Sequence, residues 1–150
     1  MNDRIEKTIE IKAPVARVWK ALTDHREFGT WFRVRLENAF VPGKPARGQI
    51  AYPGFEHVKM EVVVQKMEPE QLFSFTWHPY AVEPGVDYSN ETPTLVVFTL
   101  EPTANGTLLR VVESGFDKIP AHRRDEAFRM NDGGWEEQMG NIARHVRQAA

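Results

Sequence analysis

Glu113 is the polar residue with the clearest chemical opportunity in this 150-residue sequence. In the run Leu109-Arg110-Val111-Val112-Glu113-Ser114 a period of two puts Leu109, Val111 and Glu113 on one strand face, predicted to be the concave one. A carboxylate among apolar side chains is costly unless paired or hydrogen-bonded. Such a group can bind a ligand hydroxyl or work as a general acid or base. If it stands unpaired in a cavity, Glu113→Gln should stabilise the empty protein at neutral pH and weaken a ligand that used the charge. If the strand end twists away, Glu113 instead meets solvent or Arg110.

Other reactive residue types lack a usable pattern. The histidines are His25, His57, His78, His122 and His145, and no two share metal-ligand spacing of the His-Glu-x-x-His kind. No metal and no cofactor are expected. His78 lies opposite the Trp77 face at a strand end and reads as a surface residue. Ser74, Ser89 and Ser114 have no nucleophile-elbow context, and no glycine loop suits a phosphate. A serine hydrolase or a nucleotide enzyme is disfavoured. With no cysteine in the chain, disulfide and thiolate chemistry are excluded, and a cytoplasmic setting is expected.

The elements that must position Glu113 follow from periodicity. Thr8–Lys12 alternates as a half-buried strand. Pro14 opens a helix whose Val15, Val18, Trp19 and Leu22 form one stripe. Thr23-Asp24 suits the cap of a second short helix carrying Phe28, Trp31 and Phe32. From Arg33 the period is two: strands are predicted at 33–40, 49–52, 58–64, 73–77, 94–100 and 108–114. Asn105-Gly106 marks a hairpin, since both residues tolerate positive φ. Residues 79–93, with Pro79, Pro84-Gly85 and Pro93, form a long loop of the kind that often carries function. The sequon Asn90-Glu91-Thr92 lies in it. His122-Arg123-Arg124, followed by Asp125-Glu126, reads as a solvated helix start. Trp135, Met139, Ile142 and Val146 then mark a long amphipathic helix, with Gly133-Gly134 suggesting a kink or a close approach.

A net charge of −2 gives no broad basic field, so neither nucleic acid nor an anionic membrane is an expected partner. The longest apolar runs fall far short of a membrane span of about 20 residues. The order is strand, two short helices, five or six strands, then one long helix. The fold class is therefore α+β: a curved antiparallel sheet of six or seven strands gripping a C-terminal helix, in a single domain over residues 1–150.

The stretch Ile9-Glu10-Ile11-Lys12-Ala13-Pro14-Val15-Ala16-Arg17-Val18-Trp19-Lys20-Ala21-Leu22-Thr23 resembles the opening of the SRPBCC superfamily, the START-like and birch-pollen-allergen-like helix-grip proteins. Trp31, the turn and strand Glu68–Trp77, Asn105–Leu109, Glu113-Ser114-Gly115-Phe116 and Gly134-Trp135 resemble one branch, the homologues of the activator of the heat-shock-protein-90 ATPase. The resemblance spans about residues 5–147. It implies a helix-grip fold and a family that includes lipid and polyketide binders, aromatase/cyclases and resistance proteins. The eukaryotic chaperone activator also uses an N-terminal domain for which this chain has no room.

The expected function is binding of a small hydrophobic molecule (aromatic, polyketide-like or lipid-like) in an internal cavity, by a monomer or a homodimer. The inward strand faces offer Met60, Val62, Phe73, Phe75, Trp77, Phe98, Val111 and Glu113, and the last helix offers Trp135 and Met139. Tyr52, Phe55 and Phe116 can edge the same space. Large rings supply contact area at low entropic cost. The alternatives are a cyclase or isomerase using Glu113 as acid/base, and a chaperone-associated interaction protein.

Overall fold

The alternation at Thr8–Lys12 becomes strand β1 (Arg4–Ile11), which buries Ile5 and Ile11 and leaves Glu6 and Glu10 exposed. A computed structural model describes residues 3–83 and 85–148, so Pro84 of the expected Pro84-Gly85 turn lies outside the described residues. Pro14 caps α1 (Val15–Thr23), and Asp24 caps α2 (His25–Phe32) by accepting from the amides of Arg26 and Glu27. Five strands lead on from there: β2 (Val34–Leu36), β3 (Pro45–Ile50), β4 (Lys59–Glu68), β5 (Leu72–Trp77) and β6 (Thr94–Thr103). Then come β7 (Gly106–Ser114), a 3-10 turn at Phe116–Lys118 and the helix α3 (Ala121–Gln148).

The seven strands form one antiparallel sheet in the order β1-β7-β6-β5-β4-β3-β2. Pairing of β4 with β5 slips between Val64 and Lys66, a bulge that bends the sheet. The concave face carries Val62, Val64, Phe73, Phe75, Val96, Phe98, Leu109 and Val111, all buried. Against them α3 sets Trp135, Met139, Ile142 and Val146, while α1 and α2 close one end with Leu22, Phe28 and Trp31. The helix-grip architecture is thus present.

Several local expectations change. The strand expected over 33–40 shortens to β2: Arg33 takes φ 66° as the cap of α2, and beyond Leu36 the Asn38 side chain stands in for backbone pairing, donating to the Pro45 carbonyl and accepting from the Arg47 amide. The chain needs Ala104-Asn105 as its hairpin loop, but neither Asn105 nor Gly106 has positive φ. Gly106 is required for another reason: a Cβ there would lie 2.1 Å from the carbonyl oxygen of Ile11, so only glycine lets β7 start beneath the end of β1. The helix α3 runs unbroken through Gly133-Gly134, and a Cβ at either position would meet no atom within 4 Å, so the expected close approach is not there.

A three-helix tie holds the closed end. Glu27 Oε1 accepts from Arg17 Nη1 and from His145 Nε2, each at 2.8 Å, joining α2 to α1 and α3. Burial by itself would raise the Glu27 carboxyl, but the hydrogen bonds from His145 and Arg17, with their charges, hold it below the usual range. A carboxyl lowered on folding contributes stability above its unfolded value, near about 4.3, and loses it as pH falls through the folded value. Thermal unfolding of wild type and Glu27→Gln should therefore differ most at neutral pH and converge on acidification below about pH 4. A difference that does not change with pH would mean the tie contributes nothing through charge.

Candidate ligand-binding cleft

Between the open end of the sheet and the middle of α3 lies a cleft of about 670 Å³. That is within the roughly 300–1,000 Å³ range of small-molecule sites. Its floor is Trp77, Phe32, Ile50 and Met60. One wall is the segment 55–61, with Phe55, His57 and Val58. A second is the 78–93 loop, with His78, Tyr80, Val82 and Tyr88, and the third is the α3 face made by Met130, Asn131, Gly134 and Gln138. Tyr52, Val86 and Met130 stand at its rim with 37%, 48% and 39% of their surface exposed.

The cleft deepens into a recess of about 100 Å³ bounded by Phe32, Trp77, Asn131, Gly134, Trp135 and Gln138. The aromatic walls support one another: ring centroids of Trp77 and Trp135 lie 5.7 Å apart, and Phe32 is 6.0 Å from the first and 6.2 Å from the second.

Glu113 sits one layer behind that recess, fully buried. The strand register explains its partners. Glu113 pairs with Val96, so its side chain lies diagonal to Thr94, whose own neighbour is Trp77. Asn131 and Trp135 come from one turn of α3. One carboxylate oxygen accepts from Trp77 Nε1 (2.7 Å) and Thr94 Oγ1 (2.5 Å). The other accepts from Asn131 Nδ2 (2.9 Å) and Trp135 Nε1 (2.8 Å). The stabilisation expected of Glu113→Gln assumed an unpaired charge. Four donors surround it instead, so that expectation reverses.

Of the residues named from the sequence, Tyr52, Phe55, Met60 and Trp77 come together on the cleft, and Trp135 lines the recess. Val62, Phe73, Phe75, Phe98, Val111, Phe116 and Met139 lie in the packed core and do not line the cleft. Phe73, Phe75 and Phe98 fill the sheet's curvature by packing on one another, with centroids 5.7–6.2 Å apart. His78 is no free surface residue: it lines the cleft and donates to the Glu91 carbonyl. Nor is Arg123 solvated. It donates to Glu91 through Nε and Nη2 and stands 4.8 Å from the Tyr88 ring centroid, with 12% of its side chain exposed.

Two sets stand out among the lining residues that sequence reasoning missed. His57, Tyr80, Val82 and Tyr88 sit in irregular segments without a period to follow. Asn131, Gly134 and Gln138 did carry a signal: at spacings of three and four they form a polar and small strip beside the Trp135 stripe.

The fold defines an α+β helix-grip protein. The chain belongs to the family of activator of Hsp90 ATPase homolog 1-like proteins, whose sequence profile matches residues 12–147. Among solved structures it is similar to protein MLL2253 from Mesorhizobium loti, with 22% identity, a TM-score of 0.77 and 98% of each chain covered. It is also similar to DynU16, a putative protein in the dynemicin biosynthetic locus, at 25% identity and a TM-score of 0.76; the match covers 99% of this chain and 49% of that one. The Aha1 dimer from Colwellia psychrerythraea is similar at 18% identity and a TM-score of 0.71, over 95% of each chain. No curated protein matches the chain by sequence. Among the described residues, no helix is long and apolar enough to cross a membrane.

Proposed function

We propose that this protein is a cytoplasmic binding protein for a small, flat, mostly apolar molecule held in the 670 Å³ cleft. The observation that carries this reading is the cleft itself. It is open without any side chain having to move, and it keeps apolar groups such as Val86 and Met130 exposed at its rim. A pre-formed apolar cavity with a few polar groups is the usual form of a small-molecule site. The ionic groups at the cleft are Glu61, Glu83 and Glu137 against Lys59. That balance disfavours an anionic ligand such as a fatty acid. The similarity to a protein of the dynemicin biosynthetic locus is in keeping with a small-molecule role.

Binding is better supported than turnover. Glu113 is the acid/base candidate that the sequence singled out, and its two oxygens already accept four hydrogen bonds behind the cleft wall. In this reading it positions Trp77, Trp135 and Asn131 and moves no proton.

Titration with Nile red, a neutral apolar dye, tests the proposal. Its emission should shift to the blue on the native protein with saturable, one-site behaviour. Met130→Lys puts a charge at the rim, where the side chain is already 39% exposed. It should weaken the dye about tenfold while leaving the unfolding temperature nearly unchanged. Absence of saturable binding by the folded wild type would overturn the reading.

A further inference from the structure

Gly134 occupies the middle of a 28-residue helix, where glycine is about 1 kcal/mol less favourable than alanine. Nothing in the protein calls for it, because a Cβ built there would meet no atom within 4 Å. Gly134 lines both the cleft and its recess, so the absent side chain leaves the recess open. Its neighbour Gly133 is equally uncrowded but faces solvent and lines neither.

The recess, about 100 Å³, has the scale of one six-membered ring; an apolar cavity of about 150 Å³ holds a benzene. Its walls are the flat faces and edges of Phe32, Trp77 and Trp135. Two amides supply its polarity. Gln138 is occupied, donating to the Phe32 carbonyl and accepting from Asn141. Asn131 is half occupied: its nitrogen donates to Glu113. The bond runs from the amide nitrogen to the carboxylate oxygen, which fixes which way the amide is turned. Among the described residues its carbonyl oxygen has no hydrogen-bond partner, and Asn131 borders the recess. A hydroxyl that donates to that oxygen, and can accept from the second N–H of the same amide, completes it.

We infer that the recess is a subsite for a single aromatic ring bearing a hydroxyl, that Asn131 reads the hydroxyl, and that Gly134 sets the depth to which the ring enters. This rests on the cleft being a binding site and adds the chemical class of the ligand's buried end. Aliphatic chains and rings without a donor leave the Asn131 oxygen unpaired, which is the kind of mismatch that discriminates strongly.

Calorimetric titration with 2-naphthol and with naphthalene, alongside Nile red, tests the inference. Wild type should bind 2-naphthol about five- to tenfold more tightly than naphthalene. Gly134→Leu should remain folded, since leucine favours the helix more than glycine does. It should weaken both naphthalene compounds at least about tenfold, and by more than it weakens Nile red, which also has the outer cleft. Gly133→Leu should change no affinity, and Asn131→Ala should remove the preference for 2-naphthol. If the wild type binds Nile red but Gly134→Leu leaves 2-naphthol affinity unchanged, or if the hydroxyl brings no preference, the subsite is wrong and the cleft still stands. If the wild type binds none of the three probes, the binding reading itself fails and the subsite falls with it.

Discussion

Replacing Glu113 with leucine is expected to destabilise the folded protein by about 3 kcal/mol, seen as a lower urea midpoint, and to change the tryptophan emission. The sign is not obvious in advance. Glu113 is a buried carboxylate, and the four partners that hydrogen-bond it are all neutral. Taking a charge out of water costs several kcal/mol, and apolar replacements of whole buried ionic clusters are often stabilising. Leucine, however, replaces only the acceptor and leaves four donors behind. Trp77 and Asn131 border the cleft, where water can reach them. Thr94 can turn its hydroxyl, but Trp135 Nε1 can only donate and lies in a residue 3% exposed. A buried donor left unpaired costs about 1–3 kcal/mol, and hydrogen bonds to charged groups contribute about 1.5–3 kcal/mol each, so the lost bonds outweigh the relieved desolvation. Glu113→Gln is the graded companion. Its oxygen can serve Asn131 and Trp135, while its amide N–H groups face Thr94, which can accept, and Trp77, which cannot. A loss of about 1–2 kcal/mol is expected, together with a Trp77 free to reorient and a weakened 2-naphthol complex. A stabilised Glu113→Gln protein would show that the four bonds do not offset the burial of the charge.

The reversal at Glu113 shows where sequence reading ends. Its position on the inward face followed from the alternation Leu109, Val111, Glu113, because the strand period is two and β7 is regular. Its partners did not, because they come from β5, β6 and two positions one helical turn apart on α3. Only the register, Glu113 beside Val96 and Thr94 beside Trp77, brings them within reach. The same contrast holds elsewhere. The stripe Trp135, Met139, Ile142, Val146 was legible as a buried helix face, and all four are buried. The division of the aromatic set into core and cleft was not. Phe73, Phe75 and Trp77 share a strand face, yet two are sealed while the third reaches the cleft, because the strand runs from the closed middle of the sheet to its open end. Gly134 was visible as an unfavourable helix residue, but a kink and an open recess leave the same mark in a sequence. Arg123 was hardest: beside His122, Arg124, Asp125 and Glu126 it looked like any solvated charge, and its partner Glu91 is 32 residues away in a loop without a period.

Arg123→Ala is expected to open the 78–93 loop without unfolding the sheet. The loop adds no strand, so its placement rests on a few side chains. Arg123 donates to both oxygens of Glu91, at 2.9 and 3.0 Å through Nε, and to the Pro79 carbonyl at 2.9 Å through Nη1. From the opposite side, His57 donates to the Val82 carbonyl at 3.0 Å. The pair is largely buried, with 12% and 15% of the two side chains exposed. Removing one partner of a buried pair strands the other, at about 3–5 kcal/mol when burial is complete; the remaining solvent contact here reduces that to about 2–3 kcal/mol. Because opening the loop rehydrates Glu91, the penalty falls on loop closure, not on the core. Amide exchange across 79–92 should therefore accelerate about thirtyfold or more, Nile red and 2-naphthol should bind more weakly, and exchange in β5–β7 should change little. Removing both partners tells a clasp from general damage. Arg123→Ala/Glu91→Ala leaves no stranded carboxylate, so its loop should open less than that of Arg123→Ala alone. Equal or greater opening in the double variant, or exchange that rises uniformly through the sheet, would mean that the loop is held by something other than this pair.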